Sequence, residues 1–192
     1  MIYKLSAFIL FTFFSLVAFS QKVILKVSID NRTSNPGNDT IYYSVNRPLT
    51  WNDFKGTPDN NSPGGAITAS GFAFTANMNI VGNDIYLTVK VFTFFSKKNS
   101  WKKPNINSDY HLLHEQHHFD ITRLSAEKFY SELLKANFTI NNYQKLLSSL
   151  FNKAFDENSV LQNQYDSETR HSINTSEQLK WNDKIEQEVK SL

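Results

Sequence analysis

Apolar positions along this 192-residue chain change their period near residue 108. Ahead of that point, short runs rich in β-formers predict strands over residues 22–29, 40–45, 66–74, 78–80 and 85–94. Polar, Asn/Gly/Pro-bearing stretches at 31–38 and 57–65 separate them as loops. Gly82-Asn83-Asp84 reads as a hairpin turn leading into the strongest strand, 85–94. Beyond residue 108 the spacing becomes helical. Leu113, Ile121, Leu124, Phe129 and Leu133 share one stripe, Ser108 or Asp109 can cap it, and neither Gly nor Pro interrupts before Asn137. A second helix is predicted from about Asn142, burying Leu146, Leu147, Leu150, Phe151 and Phe155. A third starts near Thr175 and carries Leu179, Trp181, Ile185 and Val189. Residues 165–171 read as a polar segment between these last two helices. Strands followed by helices predict an α+β domain, an N-terminal antiparallel sheet with a helical half after it. Trp51, Phe54 and Trp181 are expected to pack in its core.

The N-terminus has a different pattern. A short basic start ending at Lys4, an apolar run over 7–19, and Ala18-Phe19-Ser20 have the form of a secretory signal peptide cut before Gln21. The run is too short for a comfortable membrane span, so no stable membrane insertion is expected after cleavage. This predicts a signal over 1–20, one domain over 21–192, and a secreted or periplasmic protein. The chain has no cysteine, so lipid attachment through one is excluded, and stability must come from packing or a bound metal. Formal charge is +2, falling to +1 once Lys4 leaves, and the basic residues are scattered, which argues against nucleic acid as a partner. Sixteen Phe and eight Tyr argue against disorder.

Candidate chemistry is concentrated in one place. Four of the five histidines fall within residues 111–118, which contain His114-Glu115-x-x-His118. Residues four apart on a helix share a face, about 6 Å apart along the axis at ~1.5 Å per residue. Two imidazoles so placed can hold one zinc ion while Glu115 acts as general base on a water. His111 is too far along the axis from His118 to complete the set, and His117 points about a quarter-turn away. The third ligand is expected from His171, the only other histidine, with Asp166 and Glu168 as rival oxygen ligands. Asp120 is either a hydrogen-bond partner of an imidazole or solvated. Strand 85–94 is the candidate sheet edge for an extended substrate. A structural zinc site with no turnover, replacing absent disulfides, is the competing expectation.

Several stretches recur together in order: Trp51-Asn52-Asp53-Phe54-Lys55-Gly56-Thr57-Pro58, residues 66–71, Ser100-Trp101, Leu112-Leu113-His114-Glu115-Gln116-His117-His118-Phe119-Asp120-Ile121, residues 165–169, and His171. Together they resemble the bacterial family of predicted secreted zinc-dependent proteases known as domain of unknown function 922. The likeness spans about residues 39–181. It implies metal binding, peptide hydrolysis, and a peptide or protein substrate. The chain departs from the family at Ser172, where a glycine is expected. The expected centre is therefore one Zn²⁺ on a zincin-like helix, held by His114, His118 and His171. Glu115 is its base, and Tyr165, a hydroxyl close in sequence to His171, is the candidate oxyanion donor.

Overall fold

The computed structural model describes residues 22–35 and 37–192; the expected signal segment, 1–20, lies outside them. Its sheet is organised around strand β5, Asp84–Ser96. Alternate residues Ile85, Leu87, Val89, Val91, Thr93 and Phe95 are buried, as the two-residue period of a strand requires. β4, Ser70–Val81, pairs with it antiparallel along its whole length, from Ser70 opposite Phe95 to Val81 opposite Asp84. The connection is the tight turn at Gly82-Asn83, where Gly82 takes φ +62°, a conformation that costs glycine little. Residues 66–74 and 78–80 thus belong mostly to one continuous strand, with Ala66–Ile67 split off as β3.

On the other side of β5, β1 (Val23–Ile29) runs parallel to its first half, and β2 (Thr40–Tyr42) runs antiparallel to its end. The sheet is therefore mixed, not antiparallel as the strand run suggested. A parallel pair needs a long connection, and here the chain passes through β2, β3 and β4 between β1 and β5. The same pairing corrects the expected edge. Residues 85–94 are the centre of the sheet, and β1, β2 and β4 each pair, among the described residues, with β5 alone. β3 joins β6 (Trp101–Lys102) in a separate two-stranded ribbon.

Three helices follow: α1 Asp109–Lys135, α2 Tyr143–Thr169 and α3 Thr175–Lys190. Ser108 caps α1, its side chain accepting from the His111 amide. The short link over 136–142 folds α2 back antiparallel to α1. α2 is longer than expected and includes Tyr165 and Asp166. Leu147, Ala154, Asn158, Tyr165 and Thr169 form a buried stripe that carries the helix through what read as a polar connector. None of the described helices is long and apolar enough to cross a membrane.

The main core lies between sheet and helices. Leu87, Val89, Val91 and Phe72 meet Ala126, Phe129, Leu133, Leu147 and Ala154. Phe129 is fully buried, with its ring 5.8 Å from Phe74 and 5.6 Å from Phe151. A smaller cluster of Ile41, Leu49, Phe54, Phe95 and Phe119, with Trp51 against it, seats the first turns of α1. A third, Ile121, Tyr165, Trp181 and Ile185, docks α3. Phe129→Ala is expected to lower unfolding free energy by about 3–5 kcal/mol, read from urea denaturation, because the surrounding aromatic rings cannot all collapse into the space.

Candidate metal centre

Antiparallel packing of α1 and α2 sets two (i, i+4) pairs face to face: His114 and His118 on α1, Gln162 and Asp166 on α2. His114 Nε2 lies 3.2 Å and His118 Nε2 3.1 Å from the same atom, Asp166 Oδ1. The donor atoms of these three residues all fall within 4.8 Å of one another, and both histidines are buried. Around a tetrahedral ion with bonds of about 2.0–2.1 Å, donors stand about 3.3–3.4 Å apart. The group His114, His118 and Asp166 can hold a metal ion.

The remaining ring nitrogens settle which face each imidazole offers. Gln162 Nε2 donates to the His118 carbonyl at 2.9 Å and to Thr122 Oγ1 at 3.0 Å. Its Oε1 must then face His118 Nδ1, which donates to it. Gln178 on α3 does the same for His114: its Nε2 donates to the Tyr165 hydroxyl at 2.6 Å and to Asn182 Oδ1 at 2.8 Å, leaving Oε1 to accept from His114 Nδ1 at 2.8 Å. Both rings therefore carry hydrogen on Nδ1, and in its neutral form each presents an Nε2 lone pair to Asp166. A lone pair pointed at a carboxylate is repulsive unless a cation stands between them. That is the chemistry of a metal site whose ligands are oriented by their outer partners.

The local field shows the same demand for positive charge, met by a proton where no ion stands. Burial alone would push the His118 pKa down, but hydrogen bonding to Asp166 and the charges of Glu115 and Asp166 hold it up, at about 9. Burial would raise Asp166, yet its hydrogen bonds to His114 and His118 and their charges carry it well below the usual carboxylate range. Two carboxylates and two imidazoles here favour positive charge between them.

Glu115 is buried beside the ligands. Thr68, in the link between β3 and β4, orients it: Thr68 Oγ1 lies 2.7 Å from Glu115 Oε2 and 3.0 Å from the Glu115 carbonyl. A cavity of about 190 Å³ opens here, bordered by Glu115, His114, His118 and Asp166 and also by Ile67 and Ile106.

The other residues singled out in the sequence fall in varied places. His171 reaches the centre, with Nδ1 3.2 Å from Asp166 Oδ1, but it is partly exposed and is not among the donors of the compact group. Arg170, His171 and Ser172 are consecutive left-handed residues, with φ of 51°, 52° and 70°. A positive φ at 172 is why a glycine suits that position. Ser172 is instead held by burial and by the Tyr110 hydroxyl, which donates to its carbonyl at 2.7 Å.

Tyr165 is fully buried, and its ring stacks on His114 at 4.7 Å. Its hydroxyl accepts from Gln178 and faces the His114 carbonyl at 3.4 Å, so it packs the centre from behind and is not turned to the cavity as an oxyanion donor would be. Burial also pushes its pKa up. Glu168 accepts from the Trp181 indole at 2.8 Å, away from the ligands. His111 borders the cavity and pairs with Ser108. His117 donates to Asp120 at 2.9 Å, and Asp120 also accepts from Tyr43 and Gln116, so Asp120 supports neither ligand imidazole. Gln162, Gln178 and Thr68 were missed, since only long-range packing brings them to the site.

Asp166→Ala is expected to abolish stoichiometric metal loading, while His171→Ala keeps one ion per chain; elemental analysis after dialysis against metal distinguishes them. Gln162→Ala and Gln178→Ala should each weaken metal affinity about 10–100-fold, read by competition with a chromogenic chelator. Comparison with family models, with curated proteins and with solved structures finds no match to this chain.

Proposed function

We propose that this protein is an exported zinc-dependent metallohydrolase of the metallopeptidase kind, with zinc held by His114, His118 and Asp166. One observation carries the reading: Glu115 lies within the cavity that borders the ligand group, its carboxylate positioned by Thr68. A purely structural metal site has no use for a buried carboxylate facing open space beside its ligands, where desolvation makes it costly.

Bound zinc would supply Lewis acidity, polarising a carbonyl and making water acidic near neutral pH. Glu115 accepts the proton of the attacking water and returns it to the leaving amine. Thr68 keeps the Glu115 carboxylate in one rotamer, so the proton passes along a fixed line. Gln162 and Gln178 hold the two imidazoles in the tautomer that presents Nε2. Ile67 and Ile106 add apolar surface to the cavity lining. His171, on its left-handed turn, stands over Asp166 and restricts that ligand's movement. The expected signal peptide supports export, and the likeness to predicted secreted zinc-dependent proteases supports a peptide or protein substrate.

Glu115→Gln tests the assignment. Zinc content and melting temperature should stay near wild type, while turnover of a broad peptide library falls about 100- to 10,000-fold. Undiminished hydrolysis by that variant would remove Glu115 as the base.

A further inference from the structure

We propose that the cavity beside the metal centre is a carboxamide-binding subsite, which seats the side-chain amide of a Gln or Asn in a peptide substrate between Asn158 and Ser70. This rests on the metallopeptidase reading above and names the substrate feature that the same site selects.

The polar groups at this end of the cavity have unequal obligations. Thr122 Oγ1 donates its single hydrogen to the His118 carbonyl at 3.0 Å. The Ser70–Thr122 contact at 2.7 Å therefore has Ser70 as donor. The hydrogen of Ser70 is thus used, and its oxygen keeps lone pairs with no donor among the described residues. Asn158 has the opposite need. It is 8% exposed, and its one polar side-chain contact among the described residues is the long approach, 3.5 Å, of Oδ1 to Gln162 Nε2, whose two hydrogens are already given to the His118 carbonyl and Thr122. Turning the amide over would set two N–H groups against each other, so Nδ2 is the outward donor. Gln162 ties the two together, since its Nε2 also donates to Thr122 at 3.0 Å. Both Ser70 and Asn158 border the cavity.

An acceptor and a donor side by side match a primary amide, whose N–H₂ meets Ser70 Oγ and whose carbonyl meets Asn158 Nδ2. Charge rules out the nearest rivals. No Lys or Arg among the described residues borders the cavity, so a carboxylate side chain seated at Ser70 and Asn158 would have no Lys or Arg partner there and would gain only one donor, from Asn158. An aliphatic side chain fits the volume but leaves the Asn158 donor buried without a partner. At about 190 Å³ the space is below the roughly 300 Å³ where pockets for drug-sized ligands begin, so it takes one side chain. The apolar wall of Ile67 and Ile106 suits the methylene stem.

The test measures binding, which needs no turnover. Zinc-loaded protein is titrated with three hydroxamates, whose metal-binding group is common and whose adjacent side chain is propionamide, isobutyl or propionate. The propionamide compound should bind about tenfold or more tighter than either rival. Asn158→Leu should erase or reverse that preference with zinc stoichiometry retained. Ser70→Ala provides the second variant should Asn158→Leu fail to fold, and should reduce the preference as well. Equal affinities in wild type, or a preference untouched by whichever of the two variants fold, would overturn the subsite. A peptide library scored for Gln and Asn beside the scissile bond gives the second readout. Amide-selective hydroxamate binding without any hydrolysis would sink the peptidase reading and leave the subsite standing. Hydrolysis indifferent to amides would do the reverse.

Discussion

Charge balance in the gap between α1 and α2 is the constraint on which the site depends. Asp166 and Glu115 bring two negative charges into a region where His114, Glu115 and His118 are all nearly sealed from water. Buried carboxylates at such a place require positive charge nearby. Protons on the imidazoles are one source, and the elevated His118 pKa reflects that demand. A divalent cation is the other, and it alone is compatible with both Nε2 lone pairs and Asp166 Oδ1 pointing at one another. The surrounding hydrogen bonds serve either solution, since they leave Nε2 of each ring as the atom that faces Asp166. Each Nδ1 is committed to a glutamine carbonyl, which fixes the ring but supplies no charge.

That arrangement explains why the fold takes the form it does. Two ligands one helical turn apart are a local property of α1. The third needs a second helix packed along the first, and the short link at 136–142 supplies it by forcing an antiparallel return. The aromatic core of Phe72, Phe74, Phe129 and Phe151 then fixes the register of α1 and α2 at the end away from the metal. α3 closes the other end through Tyr165 and Trp181, whose rings are 5.3 Å apart, and brings Gln178 to His114. Thr68 reaches Glu115 because β3 and β4 leave a link between the ribbon and the main sheet directly over α1.

How far the sequence discloses all this depends on the range of the interaction. The three helices, the hairpin at Gly82-Asn83 and the His114-Glu115-x-x-His118 face were legible, since each is written in neighbours within one or two turns. The parallel pairing of β1 with β5 was not, because about fifty residues of chain intervene and strand order carries no local signal. The end of α2 was misread for a different reason. Residues 162–169 are mostly polar, and a polar stretch ordinarily suggests a loop, but here Gln162 and Asp166 are polar because they face the site. Asp166 is legible as a rival oxygen ligand, yet its place on a helix, on the same face as Gln162, is what makes it a close partner of the two imidazoles. His171 attracted attention as the last remaining histidine, and it does reach Asp166, from a left-handed turn no propensity rule anticipates.

The choice of glutamine beside both ligands follows from the same balance. A carboxylate accepting from His114 Nδ1 would make the imidazole a stronger donor, but it would add a third negative charge to a site whose two would be matched by one dication. With carboxylates at both 162 and 178 the count would reach four, and the excess would have to be neutralised by protons in a region with no Lys or Arg on the cavity wall. Amides avoid this, and because each has a second function through its N–H₂ group they also tie the ligands to the rest of the fold. Gln162 secures Thr122 and the α1 backbone, while Gln178 secures Tyr165 and Asn182. With neutral outer partners, a cation bound here would keep more of its charge uncompensated, as the proposed hydrolytic role requires.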